Sequence, residues 1–98
     1  MDNKKLLYSE CIKIYNVDEA FIDSLEDSGL VSISTDEYNE RFIEVEELAD
    51  LEQFMRWYYD LNINVEGIEA LYHMLDRVKA MQEELDRLQN EIRFYKSL

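Results

Sequence analysis

A periodic apolar pattern near the C-terminal end of this 98-residue chain limits its fold more than any other feature. Steps of alternately three and four residues reach only apolar side chains, which are Leu71, Met74, Val78, Met81, Leu85, Leu88, Ile92 and Tyr95. An unbroken seam of this period is typical of a coiled coil. Burial of a large apolar side chain is worth about 1.5–3 kcal/mol, so we expect these residues to form a homodimer interface. The alternative for the first two, Leu71 and Met74, is packing against the chain's own N-terminal domain.

Two short helices around a tight turn are predicted near the N-terminus. Ser9 is a plausible N-cap of the first helix, and Asn16 suits the turn. Asp18 is a plausible N-cap of the second, whose apolar residues keep helical spacing as far as Leu30. Gly29 stands where a helix ends in the left-handed conformation. Together these signals predict a helix-turn-helix.

The period then changes twice before the long helix. Val31 and Ile33 alternate with serines, and "RFIEV" is rich in β-branched and aromatic residues. Residues 30–45 are therefore predicted to form a hairpin, or wing. Residues 44–61 return to helical spacing, with Phe54, Tyr58 and Leu61 expected in the core. Asn64 is the expected N-cap of the last helix. We therefore predict a mainly α fold, with a winged helix-turn-helix domain over residues 1–63 and a dimerisation helix over 64–98.

The charge is strongly acidic and unevenly spread. The net charge is −13, and residues 18–52 hold thirteen acidic residues against one basic residue, Arg41. Nucleic acid and anionic membranes repel such a surface, so the expected partner is a basic protein. The simpler alternative is that acidity only keeps a small protein soluble.

No catalytic or metal-binding constellation stands out in the sequence. The single His73 has no evident nucleophile beside it, and the single Cys11 is expected to be a buried structural thiol. We therefore expect no enzyme activity, no cofactor and no metal ion. The sequence also has no apparent signal peptide and no apolar run long enough for a membrane span, which is typical of a cytoplasmic protein.

The order of predicted elements resembles that of MerR-type regulators over about residues 8–95. The stretch "NVDEAFIDSLEDSGLV" lies where those regulators have a Gly-Val-Ser turn, a basic Arg-Tyr-Tyr helix and a Gly-Leu exit. Val17 and Gly29-Leu30 match this pattern, whereas Asp23 replaces the arginine and Ser24-Leu25 replace the tyrosine pair. The resemblance implies the MerR-like fold without its DNA-contacting residues.

The segment "DLNINVEGIEALYHMLDRVKAMQEELDRLQNEI" is similar to the C-terminal part of the CbpM-type chaperone-modulator family. That resemblance implies binding to the basic helix of a J-domain in a CbpA-type co-chaperone, and inhibition of its action with DnaK. It also suggests antiparallel pairing of the coiled coil. The residues expected to pair with the J-domain are Asp23, Glu26, Asp27, Asp36, Glu37 and Glu40.

Three alternatives stay open from the sequence. Aromatic residues near Tyr59, Tyr72 or the dimer end are another candidate partner surface. The second alternative is that the chain is a MerR-type DNA-binding transcriptional regulator. The third is that it is a scaffold dimer for a different basic partner.

Overall fold

The computed structural model describes residues 4–98, which form a small head and one projecting helix. The order of elements is β1 (Lys5–Leu7), α1 (Tyr8–Tyr15), α2 (Glu19–Asp27), β2 (Ser34–Thr35), β3 (Arg41–Glu44), α3 (Leu48–Met55) and α4 (Val65–Lys96). A 3-10 turn precedes α3 at Val45–Glu47, and a π-helical turn follows it at Arg56–Asp60. The molecule measures 60 × 38 × 20 Å because most of α4 extends away from the head.

The three strands form one antiparallel sheet in the order β1-β3-β2. β2 and β3 are the two arms of the predicted wing, with Ser34 opposite Phe42. Strand β1 adds to the other edge of β3, where Leu6 lies opposite Ile43. This third strand was not predicted, because three residues are too few to show an alternating pattern.

The core lies where α1, α2, α3 and β3 meet the start of α4. Its fully buried side chains are Cys11, Ile22, Leu25, Ile43, Leu51, Phe54 and Ile68. The expected burial of Cys11 is therefore confirmed, and burial raises the pKa of its thiol. Because Ile68 is one of the seven, the first turn of α4 stabilises the head as well as starting the long helix.

Several sequence signals for turns and caps are confirmed. Asn16 is left-handed at φ 54°, and Gly29 is left-handed at φ 78°, a conformation that glycine adopts without strain. At the start of α4, the side chain of Asn64 accepts a hydrogen bond of 2.8 Å from the amide of Gly67. These residues fix where α1, α2 and α4 end or begin.

Three local expectations were wrong, and a fourth, for Asp18, was right in position only. Helix α1 begins at Tyr8, so Ser9 lies inside it and is not its N-cap. Asp18 occupies the N-cap position of α2, but its side chain makes no capping hydrogen bond. Strand β2 contains only two residues, so Val31 and Ile33 precede it. Leu61 is exposed rather than in the core, because the π-helical turn shifts the residues after Met55 out of α-helical phase.

Candidate protein-binding surface

The exposed face of α2 meets strand β3 through a cluster centred on Arg41. The hydroxyl of Tyr8 donates a hydrogen bond of 3.0 Å to Asp23 Oδ1, which fixes α2 against the start of α1. The guanidinium of Arg41 lies 4.0 Å from the centre of the Tyr8 ring. It also forms ion pairs of 3.4 Å with Asp23 and 3.5 Å with Glu26. The single basic residue of the acidic segment is thus held by carboxylates of α2.

Burial and the hydrogen bond to Asp23 together raise the pKa of Tyr8 to about 12. Burial acts in this direction because it disfavours the charged phenolate, and a neighbouring carboxylate adds repulsion. Tyr8 therefore stays a neutral hydrogen-bond donor over the physiological pH range and keeps α2 in place.

The tip of the wing is a turn organised by Asp36. Its Oδ1 accepts hydrogen bonds of 2.9 Å from the amides of Tyr38 and Glu40, and these amides lower the pKa of the Asp36 carboxyl. Lys5 of β1 lies 3.5 Å from the other carboxylate oxygen. The turn leaves the Tyr38 side chain 78% exposed at the tip.

The six predicted partner-binding carboxylates fall into two groups. Asp23 and Glu26 pair with Arg41, and the side chain of Asp36 is only 12% exposed because it holds the wing turn. Asp27, Glu37 and Glu40 are exposed, and no ion pair with them occurs among residues 4–98. The structure therefore places all six on α2 and the wing, but leaves three of them to offer unshared charge.

A cleft of about 400 Å³ opens at the turn between α1 and α2. It is lined by Tyr15, Asn16, Val17, Glu52, Met55, Arg56, Tyr59 and Asp60. The sequence does not predict a cleft here, although aromatic residues near Tyr59 are one of the candidate partner surfaces. Its shape depends on the π-helical turn, which the spacing of apolar residues in the sequence does not predict.

Two hydrogen bonds hold the walls of the cleft. Tyr15 donates to Glu52 Oε2 at 2.8 Å, and the amide of Asp18 donates to the Tyr59 hydroxyl at 3.1 Å. Burial, together with the bond to Glu52, raises the pKa of Tyr15 to about 12. Tyr59 also packs edge-on against Phe21 of the core, with ring centres 5.5 Å apart. Both aromatic walls are therefore fixed by the fold.

The predicted dimer seam lies along the exposed part of α4. Leu71 is half-buried, whereas the other seven residues are exposed, with values from 40% for Leu88 to 70% for Tyr95. The alternative position expected for Met74 was against the chain's own N-terminal domain. Met74 is 61% exposed, so it does not pack there. His73 is exposed beside the seam.

Comparison with known proteins places this architecture in a family. The family described as MerR HTH family regulatory protein matches residues 6–90, which cover the helix-turn-helix, the wing, α3 and most of α4. The chain belongs to this family. No curated protein and no solved structure is significantly similar to it. Among residues 4–98 of this MerR-family chain, no helix combines the length and apolar character needed to cross a membrane.

Proposed function

We propose that this MerR-family chain is a non-enzymatic adaptor that binds a basic protein through α2 and the wing. The partner we propose is the J-domain of a CbpA-type co-chaperone, whose activity with DnaK the chain would inhibit. The adaptor would act as a homodimer joined along α4.

The observation that carries the proposal is that basic residues at α2 and the wing form ion pairs with the chain's own carboxylates. Winged helix-turn-helix proteins bind DNA through the second helix and the wing, and need Lys or Arg there to neutralise phosphates. Here Arg41 is paired with Asp23 and Glu26, and Lys5 is paired with Asp36. These two cations are therefore already shared with the chain's own carboxylates. The electrostatic potential of this surface is therefore set by exposed acidic residues such as Asp27, Glu37 and Glu40.

The choice of a J-domain rests on the CbpM-like segment that begins at residue 60 and continues along α4. A J-domain offers a basic helix, and the acidic face offers the opposite charge. Complementary charge speeds encounter and discriminates between partners more than it sets affinity. Exposed charges are screened over about 8 Å at physiological ionic strength. Binding should therefore weaken as salt is added.

Titration calorimetry of the full chain with the cognate J-domain, at rising NaCl concentration, tests this proposal. We expect binding at low salt and a clear loss at high salt. The variant Glu37→Gln/Glu40→Gln should bind several-fold more weakly. The matched control Glu83→Gln/Asp86→Asn removes the same charge from the outer face of α4 and should bind like the wild type. Absence of binding even at low salt would refute the adaptor proposal.

The family match also favours a second candidate, a DNA-binding transcriptional regulator, because it covers both the helix-turn-helix and the wing. A mobility-shift assay with duplex DNA at physiological salt separates the two. We expect no shifted band. A specific complex that survives physiological salt would favour the regulator and contradict the charge argument.

A further inference from the structure

The cleft at the turn between α1 and α2 has features of a site for one side chain of a partner. Its volume of about 400 Å³ lies within the range of small binding pockets. Its floor includes the buried Val17 and the half-buried Met55. Tyr15 and Tyr59 form aromatic walls, and both hydroxyls are held by hydrogen bonds. A π-helical turn supplies three of the lining residues, and such turns are frequent at functional sites.

The polar rim of the cleft favours a cation. Glu52 and Asp60 line it together with one guanidinium, that of Arg56. Tyr15 occupies only Oε2 of Glu52, and within residues 4–98 no ion pair with Glu52, Asp60 or Arg56 is formed. The exposed Asp18 adjoins the rim, since its amide is bonded to Tyr59. Carboxylates therefore outnumber the guanidinium at this opening.

We infer that this cleft receives a lysine or arginine side chain from a basic helix of the partner protein. The aliphatic stem of that side chain would lie on Met55 and between the two tyrosine rings, while its charged end would reach Glu52 and Asp60. Aromatic faces attract cations, so the two tyrosine rings would add to the attraction of the carboxylates. The inference rests on the proposed adaptor function and adds a specific anchor point at the N-terminal end of α2.

The test uses the full chain and two ligands. One is the cognate J-domain, and the other is a short amphipathic helical peptide of leucine and lysine, with a twin in which glutamine replaces every lysine. Amide resonances of the ¹⁵N-labelled chain are followed during titration. We expect saturable shifts at Asn16, Val17 and Asp60 with the lysine peptide but not with its twin.

Variants locate the binding energy. Glu52→Gln/Asp60→Asn should lower the affinity for both ligands about tenfold, which corresponds to about 1.4 kcal/mol of binding free energy. Glutamine at residue 52 still accepts the Tyr15 hydrogen bond, so the fold is kept. Arg56→Gln should tighten binding a few-fold because it removes the like charge. Glu83→Gln/Asp86→Asn is the matched control, because it removes the same charge from exposed positions of α4, and it should leave the affinity for both ligands within about twofold of the wild type.

Each outcome decides a different point. Unchanged affinity of Glu52→Gln/Asp60→Asn for the lysine peptide, or shifts confined to α4, would overturn the cleft assignment. If the J-domain fails to bind the wild type while the lysine peptide shifts the cleft residues, the adaptor proposal fails and the cation site stands. If the J-domain binds but is insensitive to both cleft variants, the adaptor proposal stands and the cleft inference fails.

Discussion

At the scale of single residues, we predict that Arg41 affects the stability of the fold and the binding of the proposed partner with opposite signs. Its guanidinium joins α2 to β3 by pairing with Asp23 and Glu26, and it stacks on Tyr8. Exposed ion pairs and cation–π contacts are each worth under about 1 kcal/mol. Arg41→Gln should therefore lower the free energy of unfolding by about 1 kcal/mol, measured by urea denaturation. It also frees two carboxylates, so the J-domain should associate faster at low salt. Slower association in stopped-flow measurements would contradict this view of Arg41.

The phenols of Tyr8 and Tyr15 make a second residue-scale prediction, about alkaline pH. An unfolded phenol has a pKa of about 10, whereas both have folded pKa values of about 12. The folded state therefore holds these protons more tightly. Their contribution to stability is complete below pH 10 and is lost as the pH rises towards 12. Melting temperatures of Tyr15→Phe should fall less steeply than those of the wild type over this interval. Parallel curves would show that Tyr15 does not titrate in this way.

At the scale of elements, the start of α4 is the clearest case of a sequence signal with a measurable consequence. Asn64 accepts from the Gly67 amide, and loss of such a cap costs about 1 kcal/mol. Asn64→Ala should lower the free energy of unfolding by that amount in chemical denaturation. Asn64→Asp should keep most of the stability, because a carboxylate also accepts this bond and favours the helix N-terminus. Equal losses in the two variants would mean that the side chain acts by packing rather than by capping.

The elements also show why prediction succeeded in some places and failed in others. α4, the turn at Asn16 and the exit at Gly29 follow from local rules, since period and backbone preference are written in neighbouring residues. β1 forms because it pairs with β3, where Leu6 lies opposite Ile43, a residue nearly forty positions away in the sequence. The π-helical turn that exposes Leu61 and places Tyr59 beside Asp18 likewise depends on packing between distant segments. Contacts of this kind have no local signature.

At the scale of the whole molecule, the same limit applies to the candidate site. The charge count along the chain concentrates the acidic residues in α2, the wing and the start of α3, because residues 18–52 hold thirteen acidic residues against one basic residue. It did not predict which carboxylates would be engaged, since the pairing of Asp36 with Lys5 requires β1 at the sheet edge. The cleft needed three separate segments to converge, from α1, α3 and the π-helical turn. The overall acidity of the surface was therefore predictable, but the arrangement of its parts was not.

The exposed seam of α4 carries the prediction that belongs to the whole molecule. Val78 and Leu85 are 57% and 53% exposed. Full burial of an exposed side chain of this size is worth about 1.5–3 kcal/mol, and contact with a second copy would add the part of it that belongs to their exposed surface. Light scattering after size exclusion should give twice the chain mass for the wild type, with a melting temperature that rises with concentration. Val78→Glu/Leu85→Glu should give the mass of one chain and no concentration dependence, because the carboxylates cannot be buried unpaired. Gln82→Glu/Gln89→Glu adds the same charge beside the seam and should stay dimeric. A wild type that runs as one chain at all concentrations would remove the dimer from the proposed function and leave the seam free for another partner.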